Sequence, residues 1–357
     1  MAQKSATEQT LTAGPPTTDE APQEVIGRSP WQIFWGRFRQ DKVAVAGIVF
    51  IVFLIILALA APLISKYVVH HGPNDLFIFE ALDEYGLPKE GPSAEFWFGV
   101  DTTGRDLFVR VLYGARTSLI VAFLATGMAM VIGVVVGVVS GFYRGKVDTF
   151  LSRLIDVVLS LPVLLLAMGL MSACGLSKTG CLGGLVKPGL FLVSCVIGLF
   201  SWPYVARIIR GQVMSLREKE FVEAARAMGA GNGTIMLREI LPNIVAPIVV
   251  YTTLIIPSNV IFEATLSFLG IGVPATTPSW GRQLSEASSA FTYAWWTMVF
   301  PGLFLFGTTL AFNLVGDGLQ DALDPRASSY SYKQKETRRS RRKKARLAKA
   351  PVPQGTE

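Results

Sequence analysis

Charged side chains are scarce in this chain. Asp, Glu, Lys and Arg make up 17% of its 357 residues, whereas 51% are hydrophobic, and about a quarter of an ordinary soluble domain is charged. This composition excludes a water-soluble globule as the default fold. Six stretches carry no charged residue at all: Val43–Ile64, Thr117–Tyr143, Val157–Ser177, Pro188–Ala206, Ile240–Phe262 and Ala287–Gly316.

The length of these stretches indicates helices that cross a membrane. Each holds 19 to 30 residues, which is enough to cross about 30 Å of hydrocarbon at 1.5 Å per residue. The strands of an outer-membrane barrel would be segments of about ten residues that alternate apolar and polar side chains. The sequence therefore predicts an all-α polytopic membrane protein with six transmembrane helices.

Histidine and cysteine, common metal ligands, are also rare. The two histidines, His70 and His71, are adjacent, and no pair of histidines and cysteines among the two His and three Cys has metal-site spacing. Cys174 and Cys181 lie at the end of the third stretch and just beyond it. We predict that they form a disulfide on the outer side, where disulfides persist, with free thiols as the alternative. Cys195 is predicted to be a small buried apolar residue.

A phosphate-binding GxxxxGK[ST] loop is missing from the chain. Without it the chain is not expected to cradle nucleotide phosphates, so no cofactor is predicted here and any ATPase that drives it would be a separate subunit. Carboxylates near the stretches are few, whereas an ion-coupled carrier needs ionisable groups at mid-membrane. Asp156 and Glu263 are predicted to be interfacial residues at helix ends, and a cavity-lining role for Glu263 is the alternative.

The positions of Lys and Arg predict the orientation. An arrangement with both termini in the cytoplasm places 25 of the 33 Lys and Arg on the cytoplasmic side, where positive charge accumulates. The other side then contains the long segment 66–116, which we predict to be an ordered cap because it mixes Phe96, Trp97 and Phe98 with Gly and Pro. The sequence thus predicts an N-in, C-in protein.

The N-terminal region divides into two parts. Residues 1–29 are polar and are predicted to be a disordered tail. Ser29-Pro30 is a good helix start, and Trp31, Phe34, Trp35 and Phe38 then recur on one helix face beside Arg and Lys. Residues 30–42 are therefore predicted to form an amphipathic helix in the membrane interface, and simple aromatic anchoring of the first span is the alternative.

The hydrophilic loop 212–242 is far longer than a helix connection needs. Ser215 and Glu218 form a capping box, which predicts a helix that ends near Gly229 to Gly231, where glycine tolerates the left-handed cap. The predicted helix carries one narrow apolar face that fits a partner's groove. Packing of that face on the protein's own helices is the alternative. The residues of the face are Phe221, Ala224, Ala225 and Met228.

Several sequence blocks resemble one family of membrane permeases. The EAA triplet at 223–225, Gly229 and the Leu-Pro pair at 241–242 resemble the EAA loop of permeases from bacterial ABC importers. The blocks FGVDTTGRDLFVRVLYGARTSL (98–119), EATLSFLGIG (263–272), PSWG (278–281) and GDGLQDALDP (316–325) are similar to oligopeptide and dipeptide importer permeases, and fit the second, C-type subunit. The chain departs from many family members at Phe96, Val100 and Glu239.

The resemblance implies a function, a fold and a set of contacts. It implies a type I ABC importer-like permease that forms half of a translocation path for di- or oligopeptides in the prokaryotic inner membrane. Within the same class, the alternative substrate is nickel or another metal chelate; from another class, the chain would be a non-transporting membrane anchor or regulator. The candidate path residues are Asn259 and Glu263. The residues that would couple to the ATPase are Phe221, Glu223, Ala224, Ala225, Met228, Gly229, Leu241 and Pro242.

The resemblance also implies partners. These are a homologous second permease subunit, two ATP-binding subunits that carry ATP and Mg, and an extracytoplasmic substrate-binding protein. Taken together, the composition, the charge pattern and the resemblance divide the chain into an N-terminal tail (1–29), an interfacial helix (30–42), a first span (43–65), an extracytoplasmic segment (66–116), a permease core with five spans (117–317) containing the EAA loop (212–242), and a basic cytoplasmic tail (318–357).

The net charge of +7 belongs to the C-terminal tail. From Arg326 onwards the chain has eleven Lys or Arg and two Glu, so the remainder is close to neutral. Beside a membrane such a tail is expected to bind anionic lipid, at about 1 kcal/mol per basic residue near the surface. Nucleic-acid binding is not predicted, because Tyr330 and Tyr332 are the only aromatic residues in the tail.

Overall fold

The computed structural model describes residues 30–89, 91–175, 181 and 187–323. These residues form helices and loops, and the only β pairing among them is two isolated bridges. The predictions for the tail 1–29 and for the residues after 323 lie outside this part of the chain. The α-helices are α1 (Pro30–Phe38), α2 (Lys42–Ile64), α3 (Ile78–Ala81), α4 (Leu107–Phe142), α5 (Lys146–Ser160), α6 (Val163–Gly175), α7 (Leu190–Leu216), α8 (Glu220–Ala227), α9 (Asn232–Thr234), α10 (Leu241–Phe268), α11 (Trp280–Ala287) and α12 (Trp296–Leu323).

Five helical segments are long and apolar enough to cross a membrane, and a bent helix pair gives a sixth. The pair is α5 and α6, which meet at 83°, so the predicted continuous span Val157–Ser177 is wrong. Leu161 has an extended backbone between the two helices, because the ring of Pro162 disfavours the helical conformation for the residue before it. The apolar stretch is continuous in the sequence, but the helix it forms is interrupted.

Other spans also differ from the predicted bounds. The second begins at Leu107 instead of Thr117, since Asp106 caps its N-terminus by accepting from the Val109 amide. The fifth begins at Asn232 through a π-helix (Ile235–Ile240). The sixth begins at Trp296 and continues to Leu323, so residues 318–323 are helical although they were predicted to belong to the tail. The first charged residue marks where contact with lipid ends. The helix itself can continue past it, because backbone hydrogen bonds also form between polar residues.

The N-terminal helix is shorter than predicted. It ends at Phe38, and Asp41 then caps α2 by accepting from the Val43 and Ala44 amides, so residues 30–42 are not one helix. Phe38 is buried against Ala44 and α12, whereas Trp35 is half exposed. The helix therefore rests on the bundle through Phe38, with Phe34 packed beside it.

Helices α4 and α7 pack closely because glycines of α4 face branched side chains of α7. An added Cβ at Gly133 would lie 2.5 Å from Val205 Cβ, and one at Gly141 would lie 2.7 Å from Val213 Cβ. Gly137, between them, makes the same kind of approach. Small residues at four-residue intervals allow helix backbones to approach in a membrane, where packing drives association.

The described residues of the segment between α2 and α4 pack against the bundle. His71 lies in a cluster with Phe77 and Phe96, and its Nδ1 is 2.7 Å from Asp106 Oδ2. The Trp296 indole donates to the carbonyl of Val100. These contacts attach the segment to the starts of α4 and α12, as an ordered composition predicts.

Candidate functional site

The segment 217–231 lies at one end of the bundle, between α7 and the fifth span. The predicted capping box does not form: Ser215 is inside the last turn of α7, and Lys219 precedes α8 without a side-chain cap. Helix α7 continues past Ser215 because Val213 and Leu216 of its last turns pack into the apolar cluster beneath the loop. Helix α8 therefore starts at Glu220 instead of after Ser215.

Two residues hold α8 against the bundle. Val222 and Ala225 are buried in a cluster with Phe142, Ile235 and Ile240. These neighbours belong to the end of α4 and to the π-helix that leads into α10. The short helix is therefore fixed by apolar contacts to two spans.

The apolar face predicted for α8 is divided between the protein and the solvent. Ala225 packs on the bundle, but Ala224 is exposed, Phe221 is 38% exposed and Met228 is 82% exposed. Glu223 is exposed beside them. The partner-groove and self-packing interpretations thus apply to different residues of the same face, and the surface that remains free includes Phe221, Ala224 and Met228.

Glycine ends α8 as predicted. Gly229 has φ +85°, and the amides of Gly229 and Ala230 donate to the carbonyls of Arg226 and Ala225. This left-handed cap satisfies the last carbonyls of the helix. Leu241 and Pro242 lie at the start of α10, where the preceding turn is a π-helix and the missing proline amide falls in the first turn.

Ion pairs attach the loop to the end of α4. Glu218 pairs with Arg144 and with Arg217, and Arg217 Nη1 donates to the carbonyl of Gly141 at 2.6 Å. The hydrogen bonds from Arg144 and then Arg217 hold the pKa of Glu218 below its usual value. The charge of Glu218 therefore helps to anchor the loop at neutral pH.

A second set of polar residues lies inside the bundle. Glu263 is fully buried, and its two oxygens accept from Ser118 Oγ at 2.8 Å and from Ser267 Oγ at 2.7 Å. Glu263 lies five residues before the end of α10 at Phe268, and its role as an interfacial helix-end residue stays a prediction. Its partner Ser118 lies 145 positions earlier in the chain, so no local sequence pattern indicates the contact. Asp156, by contrast, is exposed and pairs with Arg207.

Asn259 joins three spans, one turn before Glu263. Its amide nitrogen donates to Thr126 Oγ1 at 2.8 Å, and its oxygen accepts from Ser201 Oγ at 2.9 Å. Both side chains are enclosed between helices of this chain, so neither lines an open cavity of the subunit by itself. Their place in a translocation path remains a prediction.

Sequence reasoning missed a charged network at the opposite end. Arg105 bridges Asp101 at 2.7 Å and Glu286 at 2.8 Å. Arg110 is fully buried and lies 3.1 Å from Asp101 and 3.3 Å from Glu286. The network attaches α11, which is too short to span, to the start of α4. The signal that could have found it is an arginine one turn inside an otherwise apolar helix, since such a charge needs a partner.

The predicted cysteine pair is close in space. Cys174 and Cys181 have Cα atoms 5.0 Å apart and are joined as a disulfide in the structure, while Cys195 is free and partly buried. A separation of this size is normal for a disulfide. Oxidation in the native protein remains a prediction. Among the described residues, no group of three or more potential metal ligands is close enough to hold an ion.

Two family models match the chain. Residues 133–329 match the model described as binding-protein-dependent transport system inner membrane component. Residues 29–77 match the N-terminal TM domain of oligopeptide transport permease C. The first match covers the segment 217–231 together with α10 and α12, and the second covers α1 and α2. The two matches thus account for both ends of the membrane-spanning region.

Individual relatives match most of the chain. The dipeptide transport system permease protein DppC of Alkalihalophilus pseudofirmus is 38% identical over 303 residues, which are 84% of this chain and 91% of the relative. The glutathione transport system permease protein GsiD of Escherichia coli is 40% identical over 299 residues, 84% of this chain and 91% of the relative. Among solved structures, the MetNI methionine ABC transporter in an inward-facing conformation matches at 18% identity with a TM-score of 0.50, covering 61% of this chain and 98% of that chain.

Proposed function

The chain belongs to the family of binding-protein-dependent transport system inner membrane components, and from this premise we propose how it works. It is a multi-pass permease subunit of an ABC importer in the inner membrane, and it is not an enzyme, since ATP hydrolysis in such transporters is done by partner ATPases. The substrate class we propose is di- or oligopeptides. The coupling surface we propose consists of Phe221, Ala224 and Met228.

The observation that carries the coupling proposal is the divided face of α8. Val222 and Ala225 fix the helix to two spans, while Phe221, Ala224 and Met228 remain exposed. A small alanine between two larger apolar side chains suits entry into a groove, because the alanine permits close approach and the larger residues fill pockets. A helix held on one side and docked on the other can transmit the movement of a partner to the spans.

Ala224→Asp tests this coupling surface. The carboxylate would be buried in the docked complex without a partner, which costs several kcal/mol, so we expect uptake to fall about tenfold or more and co-purification of the ATPase to weaken. Uptake is measured with labelled peptide in cells that contain the complete transporter, and ATPase association by affinity purification of this chain.

Thr149→Asp is the matched control. Thr149 is exposed at the same end of the bundle but belongs to α5. The substitution therefore adds the same charge outside the proposed surface. We expect Thr149→Asp to show normal uptake. We also expect Ala224→Asp and Thr149→Asp to be present in the membrane in similar amounts. Normal uptake and normal ATPase association in Ala224→Asp would overturn the coupling proposal.

The relatives support the peptide class. Their names assign dipeptides to the Alkalihalophilus pseudofirmus permease and glutathione, itself a short peptide, to the Escherichia coli permease. We expect uptake of a labelled dipeptide to be saturable, to require ATP and to be inhibited by unlabelled di- and tripeptides. Uptake of a nickel chelate with no competition from peptides would overturn this choice of substrate class, without affecting the coupling proposal.

The family works with ATPase and substrate-binding partners. We propose that here they are one homologous permease, two ATP-binding subunits that carry ATP and Mg, and an extracytoplasmic binding protein. We also propose that α8 lies in the cytoplasm, because the loop from Arg207 to Arg238 and the basic tail both lie on that side in the arrangement favoured by positive charge. The subunit composition is tested by native mass spectrometry of the purified complex.

A further inference from the structure

An apolar groove runs along the outside of the bundle between α2 and α12. It has a volume of about 240 Å³ and is lined by Ala46, Gly47 and Phe50 of α2 and by Gly307, Leu310 and Leu314 of α12. Ala46 and Leu310 are exposed, so the groove opens outward. Both helices are long and apolar enough to cross the membrane, so the groove lies on the outer face of two candidate spans.

Small residues keep the two helices in contact beneath the groove. An added Cβ at Gly47 would lie 2.9 Å from the carbonyl oxygen of Ala311, and one at Gly307 would lie 2.8 Å from the ring of Phe50. The backbones thus meet closely at these points, while the short side chains leave a hollow above them. An unfilled hollow would deprive its lining of dispersion contacts, so an apolar chain that enters it gains them.

A positive charge lies at one mouth of the groove. Lys42 opens α2 and is exposed. It precedes Ala46 by four residues, and side chains four positions apart share one face of a helix. The ammonium group is thus carried on the face that lines the groove, one turn away.

Negative charges lie at the same level on α12. Asp317 and Asp321 extend the helix face of Leu310 and Leu314 by helical spacing, and Asp317 is exposed. The adjacent Gly318 would place a Cβ 2.3 Å from Ala44 Cβ, which sets this turn beside the start of α2. Lys42 and these two aspartates form none of the ion pairs found among the described residues.

We propose that the groove binds an acyl chain of a phospholipid whose headgroup contains both a phosphate and a primary ammonium group. The phosphate would lie at Lys42, and the ammonium at the carboxylates of Asp317 and Asp321, each pair being a charge-assisted hydrogen bond. A headgroup with a phosphate but no ammonium would leave two carboxylates unmatched beside its own negative charge. The helix of another subunit is the alternative occupant, and the disulfide test below distinguishes it.

Lipid immobilisation on the purified complete transporter tests the proposal. The probes are phosphatidylethanolamine and phosphatidylglycerol, each spin-labelled near the end of one acyl chain, and the readout is the motionally restricted fraction of the electron spin resonance spectrum. We expect the wild type to restrict phosphatidylethanolamine in excess of phosphatidylglycerol. Ala46→Phe, which fills the groove, should abolish this excess, whereas the control Val52→Phe, exposed on the same helix outside the groove, should retain it.

Headgroup variants separate the two charges. Lys42→Gln should reduce the restricted fraction of both lipids, and Asp317→Asn combined with Asp321→Asn should remove the preference for phosphatidylethanolamine. Equal restriction of the two lipids by the wild type, or the same excess in Ala46→Phe as in the wild type, would overturn the proposal. A disulfide from Ala46→Cys to a companion permease, with no restricted lipid in the wild type, would overturn it in favour of a protein occupant.

Discussion

Single buried polar residues fix how the spans of this permease fit together. Glu263 and Asn259 lie one turn apart on α10. Glu263 accepts a hydrogen bond from a hydroxyl group of a neighbouring helix, and Asn259 accepts one and donates one. Hydroxyl and amide groups join helices in a membrane because the surrounding lipid offers them no partner. These contacts specify the rotation of α10 against α4, which apolar packing by itself specifies weakly.

Glu263→Ala tests this role at the scale of one residue. The substitution removes the acceptor of both Ser118 and Ser267, so we expect the free energy of unfolding to fall by about 1–3 kcal/mol. The measurement is thermal unfolding of the detergent-solubilised subunit in its complex. Glu263→Gln keeps one acceptor and adds donors, so its free energy of unfolding should fall less than that of Glu263→Ala. An alanine variant as stable as the wild type would contradict the interpretation.

At the scale of helices, α4 and α7 make an extended close contact. Gly133, Gly137 and Gly141 lie at intervals of four residues and face the backbone and branched side chains of α7. This contact extends to the end of α4. There Arg217 donates to the carbonyl of Gly141 and Glu218 pairs with Arg144, and these contacts hold the proposed coupling loop in place. A displacement of α8 would therefore reach the spans through packed helices instead of through flexible chain.

Gly137→Val should separate these helices. A Cβ at Gly137 would already lie 2.8 Å from Ile209 Cβ and from the carbonyl oxygen of Ala206, and overpacking of this kind costs about 1–3 kcal/mol. We expect reduced thermal stability and reduced uptake. Gly127→Val makes the same change on the same helix where an added Cβ meets no atom within 4 Å, and it should behave as the wild type. Equal behaviour of the two variants would refute the close-packing argument.

The attachment of the coupling loop should depend on pH. The pKa of Glu218 is lowered from 4.5 by Arg144 and Arg217, so its contribution to stability is present above the unfolded value and disappears as the pH falls through the lower folded value. We expect the difference in Tm between the wild type and Glu218→Gln to be constant above about pH 5 and to shrink in more acidic solution. Because Glu218 and Arg144 are exposed, 1 M salt should also reduce this difference in Tm. A difference that is unchanged at pH 3 would contradict this assignment.

At the scale of the whole molecule, the two ends of the bundle differ in construction. One end carries α8 and its ion pairs, and the other carries the buried network of Asp101, Arg105, Arg110 and Glu286 with the ordered segment before α4. The first end is proposed to meet the ATPase and the second to form an ordered cap over the pore mouth. This arrangement requires the two ends to lie on opposite sides of the membrane.

Cysteine labelling tests that arrangement. Glu84→Cys and Thr149→Cys place thiols at exposed positions of the two ends, in a background in which the three native cysteines are replaced by alanine. We expect a membrane-impermeant maleimide to label Glu84→Cys in intact spheroplasts, and to label Thr149→Cys only after lysis. Glu84 is chosen over Asp83 because Asp83 accepts from the amides of Tyr85 and Leu87. Labelling in the reverse order would show that the N-in, C-in prediction is wrong.

The class of the molecule follows from the sequence alone. Runs of uncharged residues determined that it is helical and spans a membrane, because hydrocarbon excludes charge whatever the packing. The ordered blocks from Phe98 to Pro325 identified the permease family, and the family matches confirm it. Gly229 predicted the end of α8, since the left-handed cap is a property of the local backbone.

Which faces of these helices are used depends on packing that the sequence does not show. Packing moved the start of α8 past Ser215 and divided the face of α8, so that Ala225 packs inward and Met228 remains exposed. It also joined Glu263 to Ser118 and Arg110 to Glu286. These outcomes depend on contacts between segments more than a hundred residues apart or on competition between neighbouring helices, whereas sequence periodicity reports only one helix at a time.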